Sequence, residues 1–211
     1  MASGLALFVD ELSSRKHWLN IVQQAGALSA PFTHSVDTLM ACDRLIISTQ
    51  QPLAVTLDWL QAHNMAVVLA HRLQENKPTL IAGTAAHAAL KGGGQFDWLG
   101  LDVLPGVLAP FQAECNDAGE RVKHPHLGWN SLTSVPPHPL WAGIQEGDMV
   151  YFSHQYYVDQ VPRAQQLAMS NHGTYFPSVF YQQSLCAVQF RPEVSGRVGA
   201  QFIENFLRWR P

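Results

Sequence analysis

Two stretches of the chain hold residue types that could carry chemistry. From Cys186 to Gly196 it reads Cys-Ala-Val-Gln-Phe-Arg-Pro-Glu-Val-Ser-Gly. An apolar run that fits a buried strand delivers Glu193 just past its end, where open α/β sheets place their working side chains, and Arg191 stands two residues before it. From Leu80 to Ala88 the chain reads Leu-Ile-Ala-Gly-Thr-Ala-Ala-His-Ala. A buried strand running through small residues directly into a helix is the arrangement of a nucleophile elbow, which lifts one side chain over the helix N-terminus. The residue so placed is Thr84, either as a hydroxyl nucleophile or as an ordinary helix N-cap. His87 lies three residues on, facing roughly the same side of the helix, as a base for Thr84 or as a satisfied histidine.

The elements that must position these residues alternate. Leu5–Val9 fits a short strand, followed by a helix capped at Ser13 or Ser14, with Trp18, Leu19, Val22 and Ala25 on one face and Gly26 at its close. Arg44–Ile47 and Thr79–Ala82 fit further strands. Leu53–His63 and Thr84–Leu90 fit helices, the second ended by Gly92-Gly93-Gly94. Alternating β and α predicts a three-layer α/β fold, a mostly parallel central sheet with flanking helices. Later segments, Val107–Ala109, Met149–Ser153, Leu167–Ser170, Val179–Tyr181 and Cys186–Phe190, are short and punctuated by proline and glycine, which suits partly antiparallel strands. A last helix from about Val198 to Trp209 carries Phe202, Ile203, Phe206 and Leu207 on one face.

At 211 residues, 47% of them hydrophobic, the chain suits a single domain over 1–211. A net charge of -3 offers no basic footprint for nucleic acid and no polybasic patch for a membrane surface. No apolar run reaches the roughly 18–20 residues that span a bilayer, so a cytoplasmic protein is expected. Cys42, Cys115 and Cys186 are odd in number and widely spaced, which implies reduced thiols. Charged residues are only 14% while Phe, Trp and Tyr number 10, 6 and 5, so either the core is rich in rings or apolar surface awaits a protein partner. The ten histidines include no His-x-x-x-His pair and no cysteine companion, so neither a metal nor a cofactor is expected.

Three segments then carry a family resemblance: His124-Pro125-His126-Leu127-Gly128-Trp129-Asn130, Tyr151-Phe152-Ser153-His154-Gln155-Tyr156-Tyr157, and Gln189-Phe190-Arg191-Pro192-Glu193-Val194-Ser195-Gly196. With the elbow-like turn they resemble the class I glutamine amidotransferases, in the branch of the imidazole glycerol phosphate synthase glutaminase subunit of histidine biosynthesis. The resemblance implies a flavodoxin-like fold and places Ala82, Thr84, Ala86 and Ala88 on the family's Gly-x-Cys-x-Gly-x-Gln elbow. Arg191 and Glu193 fall on its His-x-Glu pair. It implies altered substrate contacts at Ala88, Gln50, Gln51 and Gln155. A cyclase partner, a (β/α)₈ barrel, is expected at Pro125, His126, Gly128, Trp129 and Asn130, with Trp129 as a buried interface anchor or a core residue.

The departures from the family pattern bear on chemistry. A threonine hydroxyl is a far weaker nucleophile than a thiolate beside a histidine, and Arg191 stays protonated, so it cannot act as a base. Ser48-Thr49-Gln50-Gln51 replaces a Pro-Gly-Val-Gly oxyanion loop, and Asp10-Glu11-Leu12-Ser13 replaces a glycine-rich turn. The expectation is a pseudoenzyme that binds or regulates a cyclase-type partner as a heterodimer. The alternative is an amide or ester hydrolase of altered chemistry using Thr84 and His87.

Overall fold

The computed structural model describes residues 4–10, 12–27, 29–92, 98–112, 115, 119 and 121–211, and for residues 12–14 their backbone. A six-stranded sheet forms the centre, built from β1 (Leu5–Val9), β2 (Arg44–Thr49), β3 (Thr79–Gly83), β8 (Gln166–Asn171), β9 (Tyr175–Gln182) and β10 (Leu185–Val188). Its order is β1-β2-β3-β10-β9-β8, parallel from β1 through β10 and antiparallel on either side of β9. The sheet is thus mostly parallel, as the alternating pattern predicts.

Both faces of this sheet are covered, which is why its first strands read as continuous apolar runs. Side chains alternate between two cores. Leu5, Leu7, Val9, Ile46, Leu80, Ala82, Cys186 and Val188 face one core, filled by Trp18 and Val22 of α1 (Leu12–Gln24) and Phe202, Ile203 and Phe206 of α6 (Gly196–Arg208). Ala6, Phe8, Leu45, Ile47, Ile81 and Ala187 face the other, closed by helices α3 (Leu53–Ala62), α4 (Met65–Gln74) and α5 (Thr84–Ala88). Helix α2 (Val36–Ala41) seats Leu39 in that second core. The central aromatic load therefore lies largely inside, as packing of α6 against the sheet requires.

Two antiparallel ribbons complete the C-terminal half. One pairs β4 (Val107–Pro110) with β7 (Tyr156–Asp159), the other β5 (His126–Ser131) with β6 (Met149–His154). Neither β5 nor β7 is predicted from the sequence, because each is too polar and short for an apolar scan. The structure also adds α2 and α4; Asn64, in the left-handed region at φ 53, separates α3 from α4. Helix α5 stops at Ala88 rather than Leu90, while Glu11, Gly93 and Gly94 lie outside the described residues; α1 begins at Leu12, so Ser13 and Ser14 are helical residues and not its cap. Among the described residues no single helix is long and apolar enough to cross a membrane.

Buried Arg72 of α4 locks the edge of the second core. Its guanidinium donates to the carbonyls of Leu39, Cys42 and Pro78 at 2.9 Å each and to the Thr79 hydroxyl at 2.7 Å. Among the described residues no carboxylate is ion-paired with it, and the cation is tolerated there because several oriented carbonyl dipoles replace its water.

Candidate active site

The strand-to-helix turn forms where the sequence places it, but its strained position is Gly83 rather than Thr84. Gly83 ends β3 at φ 67, ψ -142, a region open essentially to glycine, and Thr84 is already the first helical residue of α5. A Cβ at Gly83 would collide with the carbonyl oxygen of Thr49 and the side-chain amide nitrogen of Gln50. The N-cap expected at Thr84 therefore also falls on Gly83, and Thr84 sits half-buried one residue past the turn.

The segment facing Gly83 is stapled. Ser48 and Thr49 belong to β2 and are fully buried. The Thr49 hydroxyl donates to Asp10 at 2.8 Å and accepts from the Gln51 N–H at 3.1 Å, while the Thr56 hydroxyl donates to the Gln51 carbonyl at 3.2 Å. With the backbone at Gln51 held by these bonds and no glycine in Ser48–Gln51, the segment lacks the backbone freedom to swing an N–H toward a developing oxyanion.

His87 turns away from Thr84. It is buried in the second core, where its Nε2 donates to Gln189 Oε1 at 3.1 Å, and burial pushes its pKa down to about 4. Gln189 also accepts from the Val158 N–H at 3.0 Å and donates to the Pro177 carbonyl at 2.7 Å, so its amide ties α5, β7 and β9 to the end of β10. Ala88 is buried among apolar neighbours and Gln155 is exposed on the turn between β6 and β7. Among the three cysteines, Cys42 is half-buried, Cys115 is exposed, and Cys186 lies in the core with its thiol pushed up by burial. None of them lies at the turn.

Arg191 and Glu193 do meet, at 2.8 Å, on a 3₁₀ turn over Pro192–Val194. The Glu193 side chain is fully enclosed. Burial raises its carboxyl above the ordinary value despite the guanidinium, and one of its oxygens has no partner. The backbone of this turn is fastened to β6: Arg191 N–H donates to the Tyr151 carbonyl at 2.8 Å, Tyr151 N–H to the Ser195 hydroxyl at 3.0 Å, and that hydroxyl to the Arg191 carbonyl at 2.7 Å.

The β5–β6 ribbon divides by strand alternation. Leu127, Trp129 and Met149 point outward with 65%, 54% and 44% exposure, and Trp129 meets Tyr151 edge-on at 5.8 Å. Trp129 is thus not a core residue of this chain. His126 and Asn130 point inward, Pro125 is exposed and Gly128 intermediate, so the five residues expected to meet a partner do not share one face of the ribbon.

Inward, His126 Nδ1 lies 2.8 Å from His154 Nε2, its ring stacks on His172 at 3.9 Å, and Asn130 reaches its Nε2 at 3.2 Å. His124 lies 5.9 Å from His172, and His87 lies 6.2 Å from His154. This cluster is invisible in sequence because four distant segments supply it. Among the described residues no three His, Cys, Asp or Glu side chains could hold a metal ion. Burial, then neighbouring histidines, lower the pKa of His126 to about 3 and that of His154 well below the ordinary value.

Two measurements follow from this geometry. Gly83→Ala is expected to cost about 3 kcal/mol, from forced φ and collision with backbone, whereas Thr84→Ala changes stability by less than about 1 kcal/mol. Equal shifts in urea midpoint would place the strain elsewhere. The unfolded chain protonates these histidines near 6.5, well above the folded values for His87 and His126 of about 4 and about 3. Their contribution to stability is therefore complete above pH 6.5 and lost as pH falls, with a slope of up to about 1.4 kcal/mol per pH unit for each. Urea unfolding as a function of pH should show this loss, and His87→Gln should flatten it.

Comparison with known proteins agrees with this architecture. The family model for class I glutamine amidotransferases matches residues 86–209, beginning just past the turn. The imidazole glycerol phosphate synthase subunit HisH of Methylococcus capsulatus is 33% identical over 195 residues, covering 90% of this chain and 89% of that protein. The HisH of Aromatoleum aromaticum is 40% identical over 114 residues, 53% of this chain and about half, 54%, of that protein's length. A glutamine amidotransferase structure from Thermotoga maritima superposes with a TM-score of 0.64 at 12% identity, covering 99% of this chain and 84% of that one, and so speaks for the fold. The chain belongs to the class I glutamine amidotransferase family and resembles its HisH members.

Proposed function

We propose that this chain is a HisH-like subunit that has given up glutamine hydrolysis and works by docking a cyclase-type partner, a (β/α)₈ barrel, as a heterodimer. The observation that carries this reading is the residue at the strained turn: Gly83 has no side chain, so the place from which a nucleophile would attack is empty of one. Centring the elbow on Gly83 also moves the two family positions that follow it to Ala85 and His87. Covalent amide hydrolysis needs a group that bonds the carbonyl carbon and a base that removes its proton and returns it to the leaving nitrogen.

Neither role has an occupant. Thr84 lies one residue past the turn, and the nearest imidazole in sequence, His87, is enclosed and committed to Gln189. Arg191 cannot accept a proton and is paired with Glu193, which among the described residues is hydrogen-bonded to no imidazole. The same facts weigh against a Thr84–His87 hydrolase.

The outer face of β5–β6 supports the docking role. Three large apolar side chains stand exposed on a ribbon whose inner face is fixed by the histidine cluster and whose edge is fastened to the Arg191–Ser195 turn. An exposed tryptophan backed by rigid structure suits an interface hot spot.

Titration of the chain with the cyclase barrel of an imidazole glycerol phosphate synthase is expected to give a one-to-one complex. Trp129→Ala should weaken that complex by about 2 kcal/mol, roughly 30-fold, while Thr84→Ala leaves it unchanged. A barrel that does not bind, or binds Trp129→Ala as tightly as the parent chain, contradicts the docking role.

A further inference from the structure

The space above Gly83 is not open. The carboxamide of Gln50 lies against Gly83 from the neighbouring strand end, beside the Thr49 carbonyl oxygen. Strands β2 and β3 pair in parallel with Thr49 opposite Gly83, so the residue after Thr49 is delivered to the turn by sheet register rather than by a mobile loop. The three hydrogen bonds around Thr49 and Gln51 then hold the backbone on either side of Gln50.

The amide nitrogen of Gln50 is buried with no hydrogen-bond partner. A carboxamide that chose this position for its own bonding would not leave a donor unpaired, because burying one is unfavourable. Its placement is therefore imposed by the stapled backbone, and its amide nitrogen makes no hydrogen bond that its removal would break. A carboxamide is also the group that an amide-processing site would receive.

From these facts we propose that Gln50 is an internal stopper: its carboxamide fills the space over Gly83 that a small carboxamide ligand would otherwise enter, and so closes the site. This rests on the reading of Gly83 as the elbow residue and adds to it a reason why the site stays closed to ligand. The stopper is an autoinhibitory contact built from the chain's own side chain.

Gln50→Ala deletes a group of the size and chemistry of acetamide, so acetamide itself is the probe. Titration followed by the backbone amide NMR signals of Gly83 and Thr84 should give saturable shifts in Gln50→Ala, with affinity at least about tenfold above that of the parent chain. Acetate, of the same size but charged, should give none. Equal responses in parent and variant, no saturable shift in the variant, or acetate binding as well as acetamide would each overturn the stopper. Gln50→Ser serves if Gln50→Ala does not fold. Glutamine turnover by the parent chain would count against the loss of hydrolysis, whereas the acetamide result bears on the stopper alone, so the two can fail separately.

Discussion

The close approach of the Thr49 carbonyl to Gly83 governs the C-terminal edge of the sheet. Parallel pairing of β2 with β3 sets those two residues opposite each other, and a Cβ at Gly83 has no room. A glycine at φ 67 relieves both demands at once, since it accepts the strained conformation and presents no atom to the carbonyl. The cost is chemical: the residue raised by the turn has nothing to attack with. Thr84 then begins a short helix in which the small buried side chains of Ala85, Ala86 and Ala88 let it sit close to α3 and the sheet.

The second half of the site is held from outside the sheet. Arg191, Glu193 and Ser195 occupy a turn whose backbone is bonded to Tyr151, and Tyr151 lies on the strand that pairs with Trp129. A single network therefore joins the Arg191–Ser195 turn to the exposed ribbon. Behind the ribbon, neutral histidines pack ring on ring, an arrangement that is favourable only while they stay uncharged. Glu193 shows the opposite compromise, a carboxylate held in a dry site by one guanidinium, with one oxygen left unpaired.

Much of this was legible in the chain. Short apolar runs, Leu5–Val9, Leu45–Ile47 and Leu80–Ala82, mark β1, β2 and β3, and amphipathic spacing marks α1 and α6, because burial on a doubly covered sheet leaves that signature. The Arg191–Glu193 pair follows from two charges two residues apart at a strand end. The elbow register was less accessible: Ala82, Ala85, Ala86 and Ala88 are interchangeable by type, so only backbone conformation separates Gly83 from Thr84. Its signal was nonetheless present, since glycine is the residue that a positive φ requires. The inward turn of His126 needed the pairing with His154 across β5 and β6, which no local pattern encodes, and the histidine cluster needed four segments brought together.

The central claim is that the fold persists without its hydrolytic chemistry. Its most direct test is glutamate release from glutamine by the parent chain, alone and in complex with a cyclase barrel, measured against Thr84→Ala. The account predicts release at the level of buffer in all cases. Turnover above buffer that disappears in Thr84→Ala would contradict it, and would return the nucleophile to Thr84.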